Sequence, residues 1–283
     1  MALPDFLIVG AMKCGTSTLA AQLGAQRGVF MTSPKEPEFF SQDAHHARGR
    51  AWYEQLFDAA PEGAIRGEAS TGYTKLPTYP KVVPRIADLL VAPKIVYLIR
   101  DPLDRLVSHY IHEWTMGEIR GSLSEALTAY PELVAYGCYG MQIAPYAKRF
   151  GRERILLVSL EELQAEPQAV LERVAAFIGA PGRPVWVQEH ARANASAERF
   201  RRVPLHGLLI DNPLATVLRR TLVPQALRDR LKRARQMPDR PALTEAERTR
   251  LIAVFAEDRA RLARVFPGHA ALARSYPFLV EAS

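Results

Sequence analysis

A loop near the amino terminus combines two glycines, a lysine and two hydroxyl residues directly after a short apolar run. Gly10 and Gly15 stand on either side of Lys13, and Thr16 and Ser17 follow. A strand-to-helix turn of this kind points backbone N–H groups and the positive end of the helix at an anion. The spacing of the glycines matches a Walker loop, but a Walker lysine would stand directly after the second glycine. The loop therefore predicts an anion site whose cation occupies an unusual place.

The displaced lysine favours a phosphosulfate over a nucleoside triphosphate. A triphosphate needs a lysine on its β- and γ-phosphates and a hydroxyl on Mg²⁺, whereas a phosphosulfate has a single phosphate before the transferred group. The oxygen between phosphorus and sulfur gains charge as its bond breaks, so a cation there stabilises the transition state more than the ground state. We predict that Lys13 is this catalytic cation and that no metal is required. The other predicted contacts of the loop are Cys14, Gly15, Thr16, Ser17 and Thr18.

Arg100 and Ser108 form a second candidate anion site. Arg100 directly follows an apolar run, and Ser108 falls about two turns into the helix that Pro102 is expected to open. Ligands bind at the carboxyl ends of parallel strands, and a guanidinium with a hydroxyl suits a terminal phosphate monoester. The alternative is an ordinary turn in which Arg100 pairs with Asp101.

Together these motifs resemble the PAPS-dependent sulfotransferases, whose sulfuryl donor is 3′-phosphoadenosine 5′-phosphosulfate (PAPS). Lys13 to Ser17 resembles their 5′-phosphosulfate loop, and Arg100 to Ser108 resembles their 3′-phosphate motif. The similarity covers most of residues 5–180 in the right order and is looser afterwards. Further segments look like the branch with heparan sulfate N- and 3-O-sulfotransferases and many bacterial relatives: Lys35 to Phe40, Trp52-Tyr53, Gly67 to Ser70, Gly137 to Tyr139 and Arg154 to Gly179.

The resemblance implies a general base at Glu36, within a Lys-Glu-x-x-Phe-Phe segment. A carboxylate beside two phenylalanines is expected to be partly desolvated, which raises its basicity. Glu38 is the nearby competitor, and Glu68, at the end of a short candidate strand, is the second candidate for the base. In the heparan sulfate enzymes a lysine commonly follows that second glutamate. Ala69 stands there in this chain, which argues against a heparan-like polyanionic acceptor.

Many basic residues stand between residues 192 and 240. The resemblance implies that Arg201 and Arg202 close over the nucleotide as part of a basic lid. The alternative is a membrane-surface helix, since leucines are interleaved with the basic residues, although Pro224 and Pro238 would interrupt it. Peripheral membrane contact stays open, but no transmembrane segment is expected, because no apolar stretch reaches about 18 residues.

Buried strands must hold these residues in place. Apolar runs within residues 6–9, 94–99 and 154–158 predict such strands, and residues 64–69 are a fourth, shorter candidate. Because helical patterns separate the runs, the strands are expected to form a parallel sheet that helices cover on both faces.

Helical spacing appears at residues 16–26, 103–116 and 168–178. A capping-box pattern at Thr244 opens a further helix that ends near Val265. We therefore predict an α/β fold: a P-loop-like parallel sheet with helices on both faces and a helical C-terminal extension. The 283 residues are expected to form one domain, with a core at about 5–180 and a basic lid and helical extension at about 190–283.

The whole-chain properties leave more than one function class open. The formal charge of +7 favours anionic partners, so a P-loop kinase or NTPase and a basic nucleic-acid- or membrane-binding protein are the alternatives. The displaced Lys13 counts against the kinase, and we expect no nucleic-acid partner. The two cysteines and the lack of a signal peptide predict a reduced cytoplasmic protein. The acceptor, a small molecule, carbohydrate or lipid with a hydroxyl or amine, and the oligomeric state cannot be derived.

Overall fold

Five parallel strands form the framework of the protein. The computed structural model describes residues 3–192, residue 237 and residues 239–279. Its strands are β1 Phe6–Gly10, β2 Val29–Met31, β3 Ile65–Ala69, β4 Lys94–Ile99 and β5 Ile155–Ser159. They lie in the order β2-β3-β1-β4-β5, and every pair is parallel. The carboxyl ends of all five strands therefore meet at one edge.

β1 and β4 form the centre of this sheet. All of β1 is buried, and so are the five residues from Ile95 to Ile99 in β4. Apolar side chains along the whole strand suit a sheet that is covered on both faces. The chain passes from β3, on one side of β1, to β4 on the other. Such a switch point is where parallel α/β sheets bind ligands, and the residues that follow β1 and β4 lie there.

Twelve helices are present among the described residues. Four short 3₁₀ helices lie among them, one of which, Thr71–Thr74, follows β3 directly. The helices are α1 Thr16–Gly24, α2 Asp43–His46, α3 Gly49–Gln55, α4 Val82–Leu89, α5 Pro102–Met116, α6 Leu123–Ala129, α7 Glu132–Ala135, α8 Tyr139–Phe150, α9 Leu160–Ala165, α10 Pro167–Ile178, α11 Glu245–Val265 and α12 Ala271–Arg274.

The predicted fold class is confirmed, with small differences in detail. The strand predicted at 154–158 begins one residue later, because residues 152–154 form a 3₁₀ turn. The first helix ends at Gly24, two residues before the predicted end. β2 was missed, because three residues are too few for a periodic pattern. The predicted capping box is present, with Thr244 and Glu247 each bonded to the other's backbone N–H.

The C-terminal helix α11 packs against α8, within the core. The carboxylate of Asp258 in α11 accepts hydrogen bonds from the backbone N–H groups of Gly140 and Met141, at 2.7 and 2.9 Å. These N–H groups belong to the first turn of α8, where backbone N–H groups find no acceptor within the helix. A Cβ at Gly140 would lie 2.5 Å from the Asp258 carbonyl oxygen, so the two backbones approach too closely for a larger residue.

None of the helices in the described parts of the chain is long and apolar enough to cross a membrane. The predicted basic lid with Arg201 and Arg202 lies outside the described residues.

Candidate active site

The loop after β1 leaves the amino terminus of α1 open to a ligand. The N-cap of α1 is Gly15, at φ +88°, and none of the described side chains caps the first turn. A Cβ at Gly15 would lie 2.8 Å from a methyl group of Leu160. Thr16 is buried, whereas Ser17 and Thr18 are partly exposed. The backbone N–H groups of this turn are therefore available to an anion.

Lys13 stands in the same loop with an unusual backbone. Its φ of +68° lies in the left-handed region. Residues other than glycine rarely adopt this backbone conformation, and those that do cluster at functional sites. The next residue, Cys14, turns inward and is fully buried. Burial raises the pKa of the Cys14 thiol to about 11, and its Sγ lies 3.6 Å from the Tyr139 hydroxyl. Cys14 therefore contributes backbone to the loop and packing to the core, with no reactive thiolate.

Arg100 connects the two predicted anion sites. Its Nη1 donates to the carbonyl oxygen of Lys13 at 3.3 Å, so the ends of β1 and β4 are in direct contact. Its buried Nε has no hydrogen-bond partner among the described residues, which is uncommon for a buried polar atom. Ser108, on α5, is partly exposed. The orphaned Nε and the uncapped turn of α1 fit a ligand that carries two separate anionic groups.

Asp104 joins Arg100 to a basic residue from the far end of the chain. Arg100 Nη2 donates to one carboxylate oxygen of Asp104 at 3.0 Å, and Arg240 Nη2 lies 3.1 Å from the other. The sequence drew attention to Arg201 and Arg202 and missed Arg240, which stands alone near the end of the basic segment. Asp104, in the first turn of α5, stands four residues after Arg100, which lies between β4 and α5, and the two form an ion pair.

Glu36 is held beside the end of β3. Its Oε1 lies 2.6 Å from Lys35 Nζ, and its Oε2 accepts a hydrogen bond of 2.9 Å from the Thr71 hydroxyl. Burial raises the pKa of this carboxyl, but the Lys35 ammonium and Thr71 outweigh burial and lower the pKa. The prediction that desolvation would make Glu36 more basic is wrong for this state of the protein. The feature of the sequence that could have indicated a lowered pKa for Glu36 is the lysine directly before it, Lys35.

Glu38 lies in the same cleft, two residues further along. Its Oε1 accepts the Gly72 N–H at 3.1 Å, and its other oxygen accepts the Ser41 hydroxyl. Burial raises its pKa. A Cβ at Gly72 would collide with this carboxylate, so a glycine is needed there. The Thr71–Thr74 turn thus fixes both carboxylates.

Glu68 lies beneath this turn and has no exposed surface. Neither carboxyl oxygen has a hydrogen bond of ordinary geometry, although the Tyr53 and Tyr73 hydroxyls face the group. Burial raises the pKa of Glu68 to about 8, and these hydroxyls offset only part of that rise. Glu68 is therefore neutral at pH 7 and out of reach of a ligand in the cleft.

Residues of α5 and of the loop after α7 pack next to Lys75, which directly follows the Thr71–Thr74 turn. Lys75 Nζ lies 5.7 Å from the ring centroid of Tyr136, and that ring stacks on His109 at 5.6 Å. His109 Nε2 lies 3.3 Å from the Glu113 carboxylate. Burial lowers the pKa of His109 to about 4, so this imidazole is neutral at pH 7. No group of three or more His, Cys, Asp or Glu side chains in the described regions has the arrangement of a metal site.

The family profile described as "Sulfotransferase domain" matches residues 3–202. The chain belongs to the sulfotransferase family. This match spans both anion sites and the cleft between them. The resemblance that the motifs indicated is thereby confirmed at the level of the family, and the protein is an enzyme of that family. The roles of individual residues are not assigned by the match.

Two curated sulfotransferases illustrate the branch. The mouse protein "Heparan sulfate glucosamine 3-O-sulfotransferase 3A1" is 28% identical over 186 residues, which cover 62% of this chain and 46% of the mouse protein. The human "Bifunctional heparan sulfate N-deacetylase/N-sulfotransferase 3" is 29% identical over 199 residues, covering 62% of this chain and 22% of the human protein. The chain thus matches less than half the length of these relatives.

Solved sulfotransferase structures share the fold. The crystal structure of a sulfotransferase from Alicyclobacillus acidocaldarius aligns over 97% of this chain and 100% of its own, with 25% identity and a TM-score of 0.68. Mouse sulfotransferase SULT7A1, solved in complex with PAP, aligns over 99% of this chain and 89% of its own, with 15% identity and a TM-score of 0.53. At that identity the mouse structure supports the fold alone.

Proposed function

We propose that this sulfotransferase moves a sulfuryl group from PAPS to a hydroxyl or amine of a small-molecule, carbohydrate or lipid acceptor, by in-line displacement. The observation that carries the proposal is the 3.3 Å contact between Arg100 Nη1 and the Lys13 carbonyl. It brings a loop suited to a phosphosulfate next to a guanidinium suited to a phosphate. One ligand with both groups, such as PAPS, can span the two sites.

The donor is held by residues at the carboxyl ends of β1 and β4. When bound, PAPS supplies an activated sulfuryl group on a phosphosulfate. The backbone N–H groups of Gly15 to Thr18 hold the 5′ end, Cys14 shapes the turn through its N–H, which donates to the Ala11 carbonyl at 3.2 Å, and Thr16, Ser17 and Thr18 add hydroxyls. The Lys13 ammonium stabilises the charge that develops on the bridging oxygen, which removes the need for a metal at that position.

The 3′-phosphate is assigned to Arg100 and Ser108. Arg100 Nε, which has no partner within the described parts of the chain, and the Ser108 hydroxyl are the donors for this group. We add Arg240, which Asp104 holds beside Arg100. Arg201 and Arg202 remain predicted lid contacts, outside the described residues.

Glu36 is the proposed general base. Its lowered pKa keeps it ionised at neutral pH, so it can accept the acceptor's proton at Oε1 or Oε2. Release of Lys35 from Oε1 as the acceptor enters would raise that pKa toward the acceptor's and improve the proton transfer. Glu68 is the weaker candidate, because a fully buried, neutral carboxyl meets no acceptor.

The domain organisation, the location in the cell and the partners other than the donor and acceptor are proposed as the sequence predicts them. We propose one sulfotransferase domain over residues 1–283, because α11 caps and packs on α8. Cytoplasmic location, peripheral membrane contact and the absence of a nucleic-acid partner stay predictions.

Isothermal titration calorimetry with 3′-phosphoadenosine 5′-phosphate (PAP) tests the donor assignment. In EDTA, PAP is expected to bind tightly and adenosine 5′-phosphate much more weakly, because only PAP reaches Arg100. Mg²⁺-dependent binding of ATP with no affinity for PAP would instead support a P-loop kinase or NTPase. Salt-sensitive binding of DNA alone would support the nucleic-acid binder.

A further inference from the structure

The first turn of helix α9 lies at the same edge of the sheet as the proposed donor site. Ile99 at the end of β4 pairs with Ser159 at the end of β5. Asp101 and Glu161 each stand two residues further along, so the parallel register places them near each other. Glu161 Oε1 accepts a hydrogen bond of 2.8 Å from the Asp101 N–H. The chain after β5 is therefore a third segment at this edge, beside those after β1 and β4.

The Asp101 N–H belongs to the peptide bond that directly follows Arg100. Because a peptide unit is planar, a hydrogen bond to this N–H restrains the whole plane that leaves the Arg100 Cα. On the other side of that Cα, the N–H of Arg100 donates to the Tyr139 hydroxyl at 3.4 Å. The backbone of Arg100 is thus held from both sides, and the backbone decides which side-chain rotamers the guanidinium can adopt.

Glu161 also bonds to the segment that follows α11. Its Oε2 accepts a hydrogen bond of 2.8 Å from the hydroxyl of Ser275, which stands 114 positions later in the chain and is fully buried. Arg259 of α11 donates to the Leu272 carbonyl at 3.0 Å, which holds this segment against the C-terminal helix. One carboxylate therefore connects the backbone beside Arg100 to the C-terminal part of the fold.

Two effects of Glu161 on a phosphate bound at Arg100 oppose each other. Its negative charge repels the phosphate, whereas its hydrogen bond to Asp101 fixes the peptide beside Arg100 before the ligand arrives. A group that is already in place loses less conformational freedom on binding, while water and salt screen the repulsion between partly exposed charges. We expect positioning to be the larger effect.

We propose that Glu161 is a positioning residue for the 3′-phosphate site and that Ser275 supports it. Both act through the peptide that follows Arg100, and neither is assigned a contact with the nucleotide. The inference rests on the proposed function, because it concerns the guanidinium that is assigned to the 3′-phosphate. It gives the segment after α11 a part in donor binding.

Calorimetry with PAP and with adenosine 5′-phosphate, which lacks the 3′-phosphate, tests the proposal. Glu161→Ala is expected to weaken PAP binding by about tenfold and to leave adenosine 5′-phosphate binding unchanged. In steady-state transfer the same variant should raise KM for PAPS and leave kcat near the wild-type value, because no reacting group is lost. Unchanged or tighter PAP binding in Glu161→Ala overturns the proposal.

Glu161→Gln separates the hydrogen bonds of this residue from its charge. The glutamine carbonyl accepts from the Asp101 N–H, and its amide donates to the Ser275 hydroxyl, so both bonds are kept while the charge is removed. PAP affinity should therefore return to within about threefold of the wild-type value. A loss as large as in Glu161→Ala contradicts positioning through these bonds.

Ser275→Ala is the smaller change, and it tests the support from the C-terminal segment in a protein that keeps Glu161. It should weaken PAP binding by about threefold and leave adenosine 5′-phosphate binding unchanged. Glu166→Ala is the matched control. Glu166 also bonds to this segment, through Arg274 at 3.2 Å, but it stands directly after α9, away from Asp101. A Glu166→Ala effect equal to that of Glu161→Ala would mean that general loosening of the segment is the cause.

The wild-type titration separates this inference from the proposed function. Wild-type protein that does not bind PAP contradicts the proposed function, and the positioning role with it. Wild-type protein that binds PAP tightly, with the same preference over adenosine 5′-phosphate in Glu161→Ala and Ser275→Ala, contradicts the positioning role alone.

Discussion

The donor side and the acceptor side of the cleft are built in different ways. The donor side uses two short segments, each directly after a central strand, and presents backbone N–H groups, Lys13 and Arg100. The acceptor side is assembled from separate segments: the loop at residues 35–38, the turn at 71–75, helix α5 and the loop after α7. The donor side presents cations and backbone N–H groups, whereas the carboxylates of the acceptor side are already bonded to neighbouring residues.

The difference follows from what each side must recognise. Every PAPS molecule has the same two anionic ends, so short motifs at fixed places are sufficient. An acceptor has no such fixed chemistry, and its contacts come from residues that are distant in the sequence. The comparison is sharpened by changing one side and asking whether the other responds.

The largest effect is expected from Lys13→Met. Removing the cation at the leaving oxygen should lower kcat by about 10²–10³-fold. Steady-state transfer with radiolabelled PAPS measures the change, and Lys148→Met, an exposed lysine on α8, is the control. Activity near the wild-type level would show that the donor loop has another catalytic cation.

Glu36→Gln should come next, with kcat reduced by about 10²-fold or more, because the proton acceptor is lost. PAP affinity should stay at the wild-type value, since Glu36 belongs to the acceptor side. Thr71→Val removes a hydrogen bond that lowers the pKa of Glu36, so the acid limb of the kcat/KM profile should move to higher pH. Near-normal turnover in Glu36→Gln would place the base elsewhere.

Arg100→Ala should weaken PAP binding by about tenfold to a hundredfold, because charge-assisted hydrogen bonds to the 3′-phosphate are lost. Adenosine 5′-phosphate, which lacks that phosphate, should bind as before, and calorimetry with both nucleotides measures the contrast. Arg240→Ala should also weaken the binding of PAP and leave the binding of adenosine 5′-phosphate unchanged, but the loss of PAP affinity should be smaller than in Arg100→Ala. Equal losses for both nucleotides would contradict the assignment of the 3′-phosphate.

Glu68→Gln should affect stability in a pH-dependent way. The folded-state pKa of about 8 lies above the ordinary 4.5, so protonation of Glu68 favours the folded state. That stability is complete below pH 4.5 and is lost as the pH rises to about 8, at up to about 1.4 kcal/mol per pH unit. Urea unfolding between pH 5.5 and 8.5 should show a flatter profile for Glu68→Gln, whereas Glu62→Gln, at an exposed carboxylate, keeps the wild-type slope. A wild-type slope in Glu68→Gln would mean that the carboxyl is not strained by burial.

The sequence was most informative where structure is local. The strands at residues 6–9 and 94–99 have continuous apolar patterns, and the loop and arginine that follow them contain their own chemistry, so the fold and the donor side were predictable. β2 was missed because three residues carry no period. The pairing of Asp104 with Arg240 crosses 136 positions of sequence, and no local pattern indicates it.

The contacts of the acceptor side were much harder to predict from the sequence than those of the donor side. Glu36 was predicted through its motif, but the direction of its pKa shift was wrong, since the contacts with Lys35 and Thr71 outweigh desolvation. No sequence pattern singled out Glu113 or Lys75. Only the folded chain brings Lys75 over the Tyr136 ring and Glu113 beside His109, which stacks on the same ring.

The central claim is metal-independent sulfuryl transfer by Lys13 and Glu36, and a single-turnover assay in EDTA tests it most directly. Wild-type protein with radiolabelled PAPS and a hydroxyl acceptor chosen by screening is expected to form labelled acceptor and PAP in equal amounts and at the same rate, and both Lys13→Met and Glu36→Gln should slow this single turnover by about 10²-fold or more. PAP release without label on the acceptor, or transfer that needs Mg²⁺, would contradict the account.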